Sequence, residues 1–425
     1  MALQEPSRIK KVRARGLRAV PGRAAVRRPG PAPPAPAPAA GAGRAGGPSS
    51  SPSSQLLPPL NHLPGLAEEE RQHPETVPRT ALHLHAGAAL TPRRRRELQC
   101  GNKLSPALVY NNLTATPKGD RISYACALTA FVVKVDSLKR SDPSTSKVNS
   151  NDNLPLHQCC YVTLGNNTFL AVTTTAGFDV FDATGGRMTF QFSLQEQPGT
   201  SSASFCRGVA AAASEDGSGQ LCVGSSEGVV FVLDCDRSGR FKAPVRLAGH
   251  TAAITALGSG YHSSSGKSLD QPHVLASADA DGRVVVWGAK SAAEYAKGAE
   301  HRVESVAVSI CCRGDLLLCG CVDGRVNIYS LEKQRILHQL TAHGRWLYAM
   351  ALHPSKDLFA TGSNDSTATV WTLPTEENGG KIEAKHALRW TDAMITGLAF
   401  VGKHGEVVVA AAYDFEEVAA WDLKY

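Results

Sequence analysis

The sequence predicts an all-β fold, a seven-bladed β-propeller spanning residues 103–425, on three observations. From about Ser105 onward the chain consists of short β-type runs punctuated by Gly, Asn and Asp. A tight turn between two such runs recurs at Thr129, Ala176, Glu227, Asp281, Asp323, Asp365 and Asp414. Seven units in roughly 320 residues give about 46 each, the size of a four-stranded blade. Three central units also keep strict register. Positions 281, 323 and 365 are 42 apart, as are Ser277, Cys319 and Thr361, and as are Trp287, Tyr329 and Trp371. His301 and His343 keep the same step, and chance does not align four columns in this way.

Residues 1–102 read as a disordered basic Pro/Ala/Gly/Ser-rich tail. Residues 1–100 hold 16 of the 25 prolines and no Phe, Tyr or Trp, so they cannot bury enough apolar surface to offset their conformational entropy. Two basic clusters lie there, Arg8–Arg18 and Arg93–Arg96. A nuclear-import signal, an arm for an anionic surface and an organelle-targeting segment all stay open beside a plain solvated tail. The same residues carry a net charge of +10, which leaves residues 101–425 at −3. A mildly acidic folded part argues against nucleic-acid binding by the propeller, which needs a basic surface.

Within the repeats, Val229–Leu233, Val284–Trp287, Val326–Tyr329 and Thr369–Trp371 are expected to be third strands. Ala130–Asp136 and Gly177–Asp182 are the third strands of two less regular units. The polar stretch Asp136–Pro155 reads as a long surface loop between the first two blades, and residues 258–272 lengthen another loop. The chain stops near the end of a third strand, at Trp421-Asp-Leu-Lys-Tyr. An unpaired edge invites aggregation, so Ala107–Thr114 is expected either to supply the missing outer strand or to open the first blade.

The stretch Thr341–Leu373 carries the most specific signal. His343, Thr361, Asp365 and Trp371 stand at the offsets of a hydrogen-bonded tetrad, and His250, Ser277, Asp281 and Trp287 repeat it. In such a tetrad Asp caps the turn and orients His, His bonds the hydroxyl, and the hydroxyl meets the indole N–H, so every buried polar group is satisfied. These residues resemble the WD-repeat family over about 320 positions. Tyr110-Asn-Asn-Leu, Arg207-Gly-Val-Ala-Ala before Leu221-Cys-Val-Gly, and Tyr413-Asp-Phe-Glu-Glu-Val resemble its WD repeat-containing protein fifty-four branch. That resemblance implies a cytoplasmic scaffold tied to signalling or ciliary assemblies. The basic tail keeps nuclear import open. The unit with Cys319 and Tyr329 departs from the pattern, and blades outside residues 250–373 must rely on apolar packing.

No enzymatic chemistry or cofactor is expected. The Ser/Thr, His and Asp of each tetrad mimic a nucleophile triad, but a hydroxyl buried beside an indole has neither substrate access nor oxyanion donors. The 14 histidines show no His-x-x-x-His or His-Glu pairing, so no metal site is expected, and there is no phosphate loop. The 11 cysteines follow neither disulfide-scaffold nor metal spacing. Those in strand-like runs (Cys126, Cys222, Cys319) act as small hydrophobes, as suits a reducing compartment. No apolar run approaches the roughly 20 residues of a membrane-spanning helix.

What remains is binding of proteins or peptides. The resemblance puts the binding face, with the channel mouth, where the turns before first strands and after second strands converge. Residues three and five positions after each blade His open there: Glu304 and Val306, then Trp346 and Tyr348, with Met394 and Thr396 in the last blade. Arg345 and Asn364 are their polar neighbours. An exposed Trp and Tyr would mark a hot spot, unless Trp346 folds back into the blade. Glu304, Arg345, Trp346, Tyr348, Asn364 and Met394 are therefore the candidate partner-binding residues. Two alternatives stand beside this reading. A substrate receptor of a cullin-type ubiquitin ligase would show Trp-Asp-x-Arg, where this chain has Trp421-Asp-Leu-Lys424, and Lys does not reproduce the Arg fork. A hydrolase would need an accessible nucleophile.

Overall fold

Valine-, alanine- and aromatic-rich runs bounded by turn residues pair with their chain neighbours as antiparallel hairpins, and seven sheets result. The computed structural model describes residues 79–80, 96–99, 106–136, 145–150, 154–213, 218–261, 273–291 and 294–423, all within the unit Gln72–Tyr425. Blade 1 comprises Thr114–Ala115, Arg121–Cys126, Thr129–Lys134 and Thr145–Asn149. Blade 2 comprises Leu156–Leu164, Asn167–Thr174, Gly177–Asp182 and Met188–Ser193. Blade 3 follows with Cys206–Ala213, Gly219–Ser225, Val229–Cys235 and Val245–Ala248. Blade 4 has Ile254–Tyr261, His273–Asp279, Arg283–Ser291 and Glu294–Arg302.

Ala307–Arg313, Leu316–Cys321, Arg325–Ser330 and Arg335–Thr341 make blade 5. Blade 6 consists of Leu347–Leu352, Leu358–Ser363, Thr367–Thr372 and Ala384–Arg389. Met394–Val401, Val407–Tyr413 and Glu417–Asp422 are the three inner strands of blade 7.

The architecture is a seven-bladed β-propeller. Its core is divided into seven apolar clusters, each packed between two adjacent blades, and one joins blade 7 to blade 1 through Leu113, Ile122, Phe131, Val409 and Val418. That last cluster closes the ring. Second strands such as Gly219–Ser225 and Leu358–Ser363 are buried along their whole length and read as apolar runs. Cys126, Cys222 and Cys319 lie buried in second strands as small hydrophobes.

Two expectations are corrected. The outer strand of blade 7 is Arg96–Gln99, paired antiparallel with Glu417–Ala420, so the propeller draws a strand from upstream of residue 103. Thr114–Ala115 opens blade 1. A further pair, Arg79–Thr80, runs parallel to Gln339–Leu340 at the edge of blade 5. Both upstream pairs cover edges that would otherwise expose unpaired backbone groups. Other residues of the expected tail, including the Arg8–Arg18 cluster, lie outside the described residues. The polar stretch after Asp136 is not wholly a loop, because Thr145–Asn149 is the outer strand of blade 1. Only Val148 of that strand is buried, so its sequence carries almost no apolar signal.

The inner strands of blades 2 to 7 each shift register near the same end, at 156/158, 206/209, 254/256, 307/309, 347/349 and 395/397. Such bulges turn a backbone group out of the ladder. Three of the freed carbonyls receive the segment before blade 1. Asn111 N–H donates to Tyr348 O (2.9 Å), Asn112 N–H to Thr396 O (2.8 Å), and Asn111 Nδ2 to Val308 O (2.9 Å). Met350 N–H returns a bond to Asn111 Oδ1 (3.1 Å). Asn111 has φ of 52°, a left-handed conformation that Asn tolerates well, and this lets the chain bend across the channel end.

Candidate protein-interaction face

Two blades carry the hydrogen-bonded brace. In blade 6, His343 Nδ1 lies 2.9 Å from Asp365 Oδ2, His343 Nε2 lies 2.8 Å from Thr361 Oγ1, and Trp371 Nε1 donates to the same oxygen at 2.8 Å. The carboxylate fixes the tautomer. Nδ1 carries the proton, so Nε2 accepts from the Thr361 hydroxyl, which in turn accepts from the indole. Burial pushes the Asp365 pKa up, but hydrogen bonds from His343 and Thr367 outweigh it and hold the group below the ordinary carboxylate value.

In blade 4 the imidazole of His250 contacts Ser277 Oγ at 2.7 Å, which Trp287 Nε1 reaches at 2.8 Å. The carboxylate, however, is Asp279 and not Asp281. Asp279 Oδ2 lies 2.7 Å from His250 Nδ1, while Oδ1 accepts the turn amides of Asp281 and Arg283, each at 3.0 Å. Asp279 is the last residue of the second strand and fully buried, whereas Asp281 sits exposed in the turn. The place of Asp279 is taken in blade 6 by Ser363, whose hydroxyl accepts the Asp365 amide (3.1 Å). Two neighbouring positions can therefore present a carboxylate to the same imidazole, and the 42-residue register alone does not choose between them. Burial holds the His250 pKa below its ordinary value against the pull of Asp279.

Blades 5 and 7 lack the brace. His301 packs on Tyr329 with ring centroids 4.6 Å apart, and its Nε2 has no partner among the described residues. In blade 7 the register places Ala410 opposite Ala419 and Val408 opposite Trp421, so Ala410 stands where Thr361 does in blade 6. The indole N–H of Trp421 is buried and unpartnered among the described residues because no hydroxyl faces it. Ala410→Ser is expected to supply that acceptor and stabilise the protein by about 1 kcal/mol, read as an upward shift of the denaturation midpoint.

The candidate binding residues divide by burial. Trp346 is 56% exposed and does not fold back into the blade, and its carbonyl accepts the Asn364 amide at 3.1 Å. Arg345 is exposed, and exposed Glu304 pairs with Arg325 at 2.7 Å. Asn364 and Met394 are half-buried. Tyr348, expected on the surface, is only 5% exposed, stacked on Tyr110 at 5.2 Å with 22° between the rings. Thr396 is likewise buried. The side chains that sequence reasoning missed are Tyr110, Asn111 and Asn112, which cross the channel end and cover Tyr348. The paired asparagines ahead of the first blade were the available signal.

Trp346 has company. Leu128 lies in the turn after the second strand of blade 1, and Tyr413 immediately precedes the matching turn of blade 7. Leu108 follows Ala107, whose amide bonds Ala125 at the same end of blade 1. All four are exposed large apolar side chains on one face, over the successive blades 6, 7 and 1. The tetrad hydroxyls offer no comparable access, since Ser277 and Thr361 are fully buried and their oxygens engage both imidazole and indole.

Residues 145–422 match the sequence pattern of the WDR54 family. WD repeat-containing protein 54 of Mus musculus is 25% identical over 256 residues, covering 59% of this chain and 73% of its own. The Homo sapiens protein of the same name is 24% identical over 257 residues, with the same coverage. WD repeat-containing protein 37 of Xenopus tropicalis shares 28% identity over 103 residues, 24% of this chain and 19% of its own. Among solved structures, a chain of the mitotic checkpoint complex superposes with a TM-score of 0.59 at 15% identity, covering 79% of this chain and 96% of that one. At that identity the likeness speaks to the fold alone.

Proposed function

The chain belongs to the WDR54 family, and from that premise we propose that it is a non-catalytic scaffold that binds protein or peptide partners on the face carrying Trp346. Propellers of this kind commonly mediate protein interactions. The observation that carries the reading is the gathering of Trp346, Tyr413, Leu128 and Leu108 on one face of blades 6, 7 and 1. Exposed aromatic groups of this size are the usual anchors of an interface. Arg345 and the Glu304–Arg325 pair would form its polar rim. Because Tyr110 and Asn111 occupy the channel end, partners engage the rim of blades 6, 7 and 1 in preference to the channel itself. A cytoplasmic setting accompanies this proposal, supported by the ten cysteines of the described residues, all of them free thiols.

Trp346→Ala is expected to abolish partner capture while changing stability by no more than about 0.5 kcal/mol, since an exposed side chain contributes little to the fold. Pull-down profiles and denaturation midpoints of wild type and variant check both halves. An unaltered profile would remove this face from consideration.

A further inference from the structure

Arg207 occupies a position where an uncompensated cation is unfavourable. It lies at the register shift of the inner strand of blade 3, on the wall of a channel cavity of about 310 Å³. Among the described residues it is the only charged side chain on that wall, and none of the described carboxylates lines the cavity. Its guanidinium stacks over Phe205, 5.4 Å from the ring centroid, and makes no hydrogen bond or ion pair with the described residues. Arg207 is half-buried, and a guanidinium drawn partly out of water retains its charge, so an anion or fixed acceptors close by are favoured. Burial lowers its pKa, and the nearby phenol of Tyr110 is what opposes the shift.

The polar side chains beside it can each donate a hydrogen bond. His157, at the matching shift of blade 2, stacks on the same Phe205 ring at 4.9 Å, and its Nε2 is buried without a partner among the described residues. Burial, and then the charge of Arg207, hold its pKa down to about 4, so it is neutral near pH 7 and supplies no countercharge. Gln158 Oε1 accepts the Gly208 amide at 3.0 Å, which turns the remainder of its amide, two N–H donors, toward other partners. Tyr110 stands at the same end of the cavity.

We propose that Arg207, with Gln158, His157 and Tyr110, forms a binding site for a small soluble oxyanion, a carboxylate or a phosphate ester, at the channel end beside the Tyr110–Asn112 crossing. Charge-assisted bonds from a guanidinium fork favour these planar or tetrahedral anions. The cavity volume suits a metabolite-sized molecule. The site shares no residue with the protein-binding face proposed above, so the two can be tested separately.

The test titrates the full chain with inorganic phosphate, and separately with citrate, in buffers matched for ionic strength with chloride. Calorimetry and the melting temperature are the readouts. A saturable response to either anion is expected, and the stronger of the two identifies the preferred chemistry. Arg207→Met should weaken that binding by at least about tenfold, the loss of a charge-assisted hydrogen bond. In chloride alone the same variant should melt no lower than the wild type, because a half-buried charge with no ion-pair partner among the described residues has been removed. If Arg207→Met does not fold, Gln158→Ala must weaken the wild-type response. Absence of any response beyond chloride, or a response that survives in these variants, would overturn the proposal and leave Arg207 as a stacking partner of Phe205.

Discussion

Asp279→Ala is expected to destabilise the protein by roughly 3–5 kcal/mol, whereas Asp281→Ala should change stability by less than about 0.5 kcal/mol. The two residues are separated by one position and differ in everything that matters energetically. Asp279 is fully buried and accepts three hydrogen bonds, from the imidazole of His250 and from two turn amides. Its removal strands all three donors and frees the ring that holds the Ser277 hydroxyl to Trp287. Asp281 lends only its backbone amide to this arrangement. Asp365→Ala should fall between them, at about 1–3 kcal/mol, because its carboxylate is partly exposed and water can replace some of its bonds. Denaturant midpoints for the three variants give the order directly. Equal losses for Asp279→Ala and Asp281→Ala would show that the brace of blade 4 is wired differently.

The second large effect is expected at Asn112, where substitution by Ala should destabilise the propeller by about 3 kcal/mol. Its amide is saturated. Nδ2 donates to Ala107 O at 2.8 Å and Ala125 O at 2.9 Å, and Oδ1 accepts the Ala125 amide at 2.7 Å. Asn112 is completely buried, so no water takes over these bonds. The same residue's backbone amide reaches Thr396 of blade 7, which makes it a joint between the first and last blades. A fall in the denaturation midpoint, measured alongside Asn111→Ala, checks the claim. An unchanged midpoint for Asn112→Ala would mean that the crossing segment adds nothing to ring closure.

These two sites also mark how far the sequence could be read. The 42-residue register, the apolar third strands and the blade 6 tetrad were legible because each depends on local spacing and apolar patterning. The choice of Asp279 over Asp281 was not, since both lie at the same turn and only the strand's end point decides which carboxylate is buried. Outer strands escaped for a different reason. Thr145–Asn149 faces solvent along most of its length, so it carries the composition of a loop. Arg96–Gln99 joins its sheet across some 320 positions of chain, a pairing that no local pattern encodes.

The proposed binding face was legible only in part. Trp346 stands exposed as its spacing suggested, and Glu304 and Arg345 share the surface with it. Tyr348 follows the same spacing but is covered by Tyr110, a residue more than 230 positions earlier. Leu128 and Tyr413 gained their significance only when blades 1, 6 and 7 were seen to be neighbours.

The most direct test of the proposed scaffold role places a photo-crosslinking amino acid at Trp346 or Tyr413, and in parallel at Met188 or Val245. All four side chains are exposed, but the last two lie on outer strands of blades 2 and 3. Partner adducts are expected from positions 346 and 413 and none from 188 and 245. Adducts confined to 188 or 245, with none at 346 and 413, would contradict the account.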